Sequence, residues 1–262
     1  LTLDPGAAYF HPNSAAYPAG GPAPLCAAEY RAADPLAALC ALAPQAGLSV
    51  QAWVALLHNS RLGALHPDLT LHNVFGDHYQ HALCPAHPAV RAYAIALVSD
   101  LGARYPLAAI DLEAAGYLGY AHASHHDKAA VHLTPFHQFL LSVCFCPHCC
   151  AALAHHGADP DTLAVAFRAE LRAAFAGTSS LVPRKKAKGE RQNAAPGITP
   201  ASVIEGLHEL IGVGATTALL AARAAVVASL LAAIRAAVPP HVALLLRATA
   251  PPDAGDGKTG GA

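Results

Sequence analysis

The sequence predicts an α/β fold in which parallel strands are covered by helices. Three apolar runs carry that prediction: "LSVQAWVALL" at 48–57, "LAAIDL" at 107–112 and "HVALLLRA" at 241–248. Their hydrophobicity is too continuous for half-solvated strands, so each reads as a strand buried on both faces. An amphipathic helix runs straight into the second of them across a short joint, the alternation that builds a parallel sheet. With 262 residues, 54% hydrophobic and 13% charged, the chain can bury a sizeable core and reads as one domain over 1–262.

The elements follow in order. Residues 1–33 are rich in Pro, Gly, Ala and Tyr without a sustained period and read as an irregular segment rather than a packed unit. Asp34 as N-cap, Pro35 at the first helical position and Gly47 as terminator define a short helix. The stretch 58–88 carries six of the seventeen histidines and reads as one long polar loop. Pro88 then opens a helix whose buried stripe is Val90, Tyr93, Ala94, Leu97, Val98 and Leu101.

Residues 135–176 read as two or three helices interrupted at a cysteine cluster, the last capped by Asp159, begun by Pro160 and closed by Gly177. The charge run over 177–199 has no apolar period and reads as a mobile, solvated basic loop. Residues 201–238 form an Ala-rich helical region broken near Gly212 and Gly214. Arg223 divides its apolar run into 13 and 11 residues, short of the roughly 20 that span a bilayer, so a buried helix is expected and no membrane partner.

A net charge of −1 provides no field for nucleic acid or an anionic surface, which rest on many Lys and Arg contacts. Seven cysteines, an odd number with four crowded into 144–150, suit a reduced compartment better than a disulfide framework. No signal-peptide pattern opens the sequence, and a cytoplasmic location is expected.

Chemistry concentrates in three places. In "AIDLE", Asp111 and Glu113 alternate onto one face of a strand, at the carboxyl end where parallel strands bind ligands. The other two strands end in His58 and Asn59 and in Arg247, so all three runs deliver polar groups to one end. "YLGYAHASHHDKAAVH" adds His122, His125, His126, Asp127 and Lys128, of which His122 and His126 have helical spacing suited to substrate hydrogen bonds or to a metal. In "SVCFCPHCC", Cys144, Cys146 and Cys149 can place three thiolates on one tetrahedral ion, with Cys150, His148 or the distant Cys84 as fourth ligand. The same spacing also permits a buried thiol cluster or thiol redox chemistry.

Taken together, "VQAWVALLHNSRLG", "ALCPAHPAVRAYAIALVSDLGARYPLAAIDLE" and "SVCFCPHC" resemble a family of glycoside-hydrolase-like (β/α)8 TIM-type barrels. The shared order is a Trp-containing strand, a Cys-Pro and Pro-x-Val-Arg helix start, a strand of type "DGIHLD" and a CxCxxC segment, over roughly residues 48–150. The resemblance implies that Glu113 stands at the catalytic carboxylate, while Cys84, Pro85, Pro88, Val90 and Arg91 match the helix start. Ala108 and Ala109 replace the Asp-Gly of the family strand, Glu113 replaces its Asp, and Asp111 occupies a variable position. Three readable strands against the eight of a closed barrel make an incomplete or modified barrel the expectation.

Three functions follow as expectations. The first is a carbohydrate-active hydrolase with Glu113 as nucleophile or base and a second acid among Asp77, Asp111, Asp127 and Asp253, acting on a carbohydrate or other polar small molecule. The second is a non-catalytic barrel that binds a glycan or a protein. The third is a metal-dependent hydrolase built on the histidine-rich loops. One structural zinc on the cysteines is the cofactor expected.

Overall fold

A computed structural model describes residues 6–122, 133–181 and 200–247. Strands β1 (Ala7–Ala8) and β2 (Leu25–Cys26) form a two-residue parallel ladder. The surrounding segment is irregular but packed, which corrects the expectation for 1–33. Phe10 and Tyr17 sit in the main core, and the buried Asp100 accepts hydrogen bonds from Asn13 N at 2.9 Å and Tyr17 Oη at 3.1 Å. A carboxylate removed from water needs such donors, and this segment supplies them.

Helix α1 (Pro35–Leu42) starts where expected, the Asp34 side chain accepting from Ala37 N, and the turn after it ends on Gly47 at φ 69°. Strand β3 (Gln51–Ala55) is shorter than the apolar run and one-sided. Ala52 and Val54 face the core, while Gln51, Trp53 and Ala55 face outward with Trp53 57% exposed. Residues 58–88 are not one loop: they hold α2 (Ser60–Leu65) and the antiparallel hairpin β4 (Thr70–His72) and β5 (His78–Leu83). These elements are too short for a period to show in sequence, and their histidines disguise them.

Helix α3 (Pro88–Arg104) buries the expected stripe and leads into β6 (Ala109–Glu113). Helices α4 (Pro135–Ser142), α5 (Pro147–His155) and α6 (Pro160–Phe175) each begin on proline behind a side-chain cap, Thr134, Cys146 and Asp159. Proline at the first helical position forfeits no intrahelical bond, so the three starts are locally determined. Gly177 at φ 70° closes α6, and residues 182–199 of the basic run lie outside the described residues. Helix α7 (Pro200–Ala237) bends at Gly212, whose φ of 80° and ψ of 163° leave the helical region. Strand β7 (Ala243–Leu246) follows.

The main sheet has the order β3-β6-β7, all parallel, with Trp53 beside Asp111 beside Leu245 in register. One face is covered: Val54, Ile110 and Leu112 pack with Val90, Tyr93, Leu97 and Val98 of α3 and with Leu230 and Ile234 of α7. Burying each such aliphatic side chain is worth about 2 kcal/mol. The other face is open, with Leu245 43% exposed. Among the described residues the sheet does not close, so the architecture is α/β, as expected, with a small open parallel sheet and no closed barrel.

A second core joins α4, α6 and the first half of α7 through Phe136, Leu140, Phe167, Leu171, Leu207 and Leu219. Helix α7 therefore spans both cores. It buries a stripe rather than its whole circumference, only 28% of its most apolar window being inside, which corrects the buried-helix expectation. By length and composition Val203–Ala237, with hydropathy 2.0, is apolar enough to cross a membrane, Arg223 notwithstanding.

Candidate functional site

The cysteines converge. Cys84 follows the end of β5, Cys144 and Cys146 lie in the joint between α4 and α5, and Cys149 is in the first turn of α5. All four are buried, and Cys84 Sγ lies 4.0 Å from Cys144 Sγ, 3.6 Å from Cys146 Sγ and 3.5 Å from Cys149 Sγ. The edge of a tetrahedron of sulfurs around zinc is about 3.8 Å for a metal–sulfur distance of about 2.3 Å, so these separations fit one ion. Cys84 thus takes the fourth position. Cys150 instead donates to Phe145 O at 3.4 Å, and the His148 ring packs on His87 at 4.6 Å.

Main-chain donors already point at the sulfurs. His72 N and Cys146 N donate to Cys144 Sγ at 3.4 and 3.5 Å, and Cys149 N donates to Cys146 Sγ at 3.4 Å, the N-cap bond of α5. Hydrogen bonds from Cys144, Cys149 and Cys84 hold the Cys146 thiol far below its usual range, whereas Cys84 is pushed up because the same bonds favour its protonated form. Four thiolates gathered in one buried pocket would require a cation to offset their charge. Tyr117 Oη lies 3.5 Å from Cys149 Sγ, and the Arg223 guanidinium stacks 4.2 Å over the Tyr117 ring, adding positive charge beside the group. These four residues can hold one metal ion: among the described residues they are the group of His, Cys, Asp and Glu ligand atoms that all come within 4.8 Å of one another.

The second candidate is the carboxyl rim of the main sheet. Trp53, Asp111, Glu113 and Arg247 share the open face, since β3 and β6 pair Trp53 with Asp111 and Ala55 with Glu113. Arg247 extends β7 and binds Asp111 Oδ2 through Nε at 2.8 Å and Nη2 at 2.7 Å, with its guanidinium 5.6 Å over Trp53. That bond holds the Arg247 guanidinium above its ordinary range. Among the described residues, the other Asp111 oxygen, Oδ1, and Glu113 Oε2 are buried without a hydrogen-bond partner. Ala114, directly after Glu113, adopts φ 52°, a left-handed conformation costing an L-residue about 1 kcal/mol or more.

His58 stands at the same end, because Leu56 N donates to Glu113 O at 2.8 Å and Leu57 N to Ala114 O at 3.2 Å. His122 lies against it, Nε2 to Nδ1 3.4 Å, and His81 completes a trio with ring centroids 5.7 Å from His122 and 6.1 Å from His58. The sequence reading missed His81, whose only signal is the alternation that sets Tyr79 and His81 on one face of β5. It also left Trp53 out of the site. His126, like Asp127 and Asp253, lies outside the described residues. The trio does not gather its nitrogens as tightly as the cysteines gather their sulfurs, so the histidine-loop metal site has no assembled ligand set among the described residues.

Asn59 does not serve the rim. It is buried as the N-cap of α2, its Oδ1 accepting from Leu62 N at 2.9 Å and its Nδ2 donating to Gly6 O at 3.3 Å. Asn59→Ala is therefore expected to cost about 1–2 kcal/mol in denaturant unfolding with ligand binding at the rim unchanged. A variant of parental stability would contradict this placement. Asp77 also lies elsewhere, in the β4–β5 turn.

The fold and the two sites define an open α/β unit with a buried four-thiol centre and a carboxylate-bearing rim. No protein-family model and no curated protein matches the chain. Among solved structures, alpha-L-fucosidase isoenzyme 2 from Paenibacillus thiaminolyticus aligns with a TM-score of 0.40 and 14% identity, over 79% of this chain and 24% of that one. The chain thus spans about a quarter of that enzyme's length, and the likeness is too loose to bear on fold or activity.

Proposed function

We propose that this chain is a carbohydrate-active unit of glycoside-hydrolase type, working at the carboxyl rim of its sheet, with Glu113 as the ionised nucleophile or base. The observation that supports this reading is the pairing of unequal carboxylates beside an exposed aromatic plane. Among the described residues Glu113 keeps a buried oxygen without a partner, Asp111 is held by Arg247, and Trp53 is largely exposed beside them with the Arg247 guanidinium over one face of its ring. A buried, incompletely bonded carboxylate is costly unless a ligand completes it. An indole face suits the apolar side of a sugar ring, and His58 and His122 at the same end can donate or accept at hydroxyls.

Asp111 precedes Glu113 by two residues on the same strand face, too near in sequence to face it across a sugar ring. Held by Arg247, it orients the rim more readily than it donates a proton. The test is hydrolysis of a panel of aryl glycosides alongside sugar binding by calorimetry. Glu113→Gln is expected to lower turnover by about 10²- to 10⁴-fold while leaving binding within a few-fold. Sugar binding absent from the parent chain would overturn the reading.

A second reading, a glycan-binding unit without turnover, is favoured by the Arg247–Asp111 ion pair, which neutralises one of the two acids. Binding without hydrolysis in the parent chain would select it. In either reading we assign one zinc to Cys84, Cys144, Cys146 and Cys149 as a structural ion, since four thiolates leave no open position for substrate.

A further inference from the structure

Beside the histidine trio, whose His81 ring stacks on Tyr79 at 5.8 Å, a cleft of about 410 Å³ opens between the β4–β5 turn and the end of α6. Its walls carry four aromatic rings, Phe75, Tyr79, Tyr120 and Phe175, with Asn73, Asp77 and two leucines. Phe75 and Phe175 stand at its mouth 37% and 50% exposed, their ring centroids 6.1 Å apart. Among the described residues its lining has no basic side chain and one carboxylate.

The hydrogen-bond inventory decides what such a cleft can hold. Both Asn73 amide protons are used, to Asp77 Oδ2 at 3.0 Å and Tyr79 Oη at 3.3 Å, and its oxygen accepts from Phe75 N at 2.9 Å and Asp77 N at 3.0 Å. Tyr79 Oη in turn donates to Leu141 O at 2.8 Å. Asn73 and Tyr79 are thus spent in holding the turn, with Gly76 at φ 90° allowing its tight bend. What they leave to a ligand is the charge of Asp77, fixed by Asn73, and the negative faces of aromatic rings. A neutral sugar needs several donors and acceptors, and Asn73 and Tyr79 are already committed to holding the turn. A cation needs only negative potential in an apolar enclosure.

We propose that this cleft binds an organic cation of the alkylammonium class, its charge against Asp77 and its alkyl groups against the aromatic rings. Choline binding here requires neither Asp111 nor Glu113, although Tyr79 stacks on His81 of the histidine trio and Tyr120 shares a turn with His122. The probes are choline and its uncharged isostere 3,3-dimethylbutan-1-ol, titrated into the whole chain by calorimetry, with methyl glucoside as a third ligand. Choline is expected to bind at least about tenfold more tightly than the isostere, with affinity falling as salt is added.

Asp77→Asn keeps an acceptor for the Asn73 amide and removes only the charge. It is expected to weaken choline about tenfold and leave the isostere unchanged, with the melting temperature reporting that the turn is intact. Phe175→Ala, at an exposed position, should weaken choline several-fold without unfolding the chain. Equal affinity for choline and its isostere would make the cleft a plain apolar pocket and overturn the proposal. Methyl glucoside binding there in preference to choline, or no choline binding at tens of millimolar, would overturn it as well.

Discussion

Cys146→Ser is expected to reduce bound zinc from one equivalent per chain to none, and to lower the melting temperature by about 5–15 °C. The magnitude follows from linkage: an ion that binds only the folded state adds roughly 3–4 kcal/mol when present at 100 to 1000 times its dissociation constant. The centre is placed to have such an effect, because it ties Cys84, beyond β5, to the α4–α5 joint some sixty residues later. Without the ion the buried thiols would take up protons, and the bonds that tie the two segments together through the metal would be lost. Chelation of the parent chain should reproduce the loss, and Cys26→Ser, remote from the cluster, should not. Metal analysis and thermal unfolding together decide the matter. One equivalent of zinc in the parent with unchanged melting after its removal would dismiss a structural role.

Gly63→Ala is expected to destabilise the chain by about 3 kcal/mol, at the upper end of the usual cost of overpacking a close contact. Gly63 lies on the face of α2 that meets β5, where a methyl group would sit 1.9 Å from Gln80 O and 2.8 Å from Gln80 C. Both obstacles are main chain, so no rotamer change relieves them. Helix propensity argues the other way, since alanine exceeds glycine by about 1 kcal/mol in a helix interior. Gly214→Ala in α7 is the matched control: nothing lies within 4 Å of the added carbon, and propensity alone predicts a gain of up to about 1 kcal/mol. Denaturant midpoints of the two variants moving in the same direction would contradict the packing of α2 on β5.

Helix starts were the most legible features, because they are decided within a few residues. Asp34 before Pro35 and Asp159 before Pro160 were readable as caps, and both side chains accept the expected main-chain hydrogen bond. The stripe from Val90 to Leu101 was readable for the same reason, a full-length helix repeating its period several times. The β4–β5 hairpin was not readable, as three to six residues carrying His72, His78 and His81 show no period against a polar background. Runs 48–57 and 241–248 revealed strands but not their surroundings. A continuous apolar run predicts two covered faces, and only the sheet shows that the side bearing Trp53 and Leu245 is open.

By itself the sequence determined an α/β chain with strands near 51, 109 and 243, helices interrupted at a cysteine-rich joint, and acids Asp111 and Glu113 on one strand face. Each of those features depends on neighbours within one turn or one strand, where composition and spacing act directly. The tertiary structure decided the rest. It brought Cys84 across to Cys144, Cys146 and Cys149 and set Arg247 on Asp111. It also collected Asp77 and four aromatic rings around one cleft. Those partners are separated by tens to more than a hundred residues, and chain separation contains no record of which buried charge or sulfur a distant side chain will satisfy.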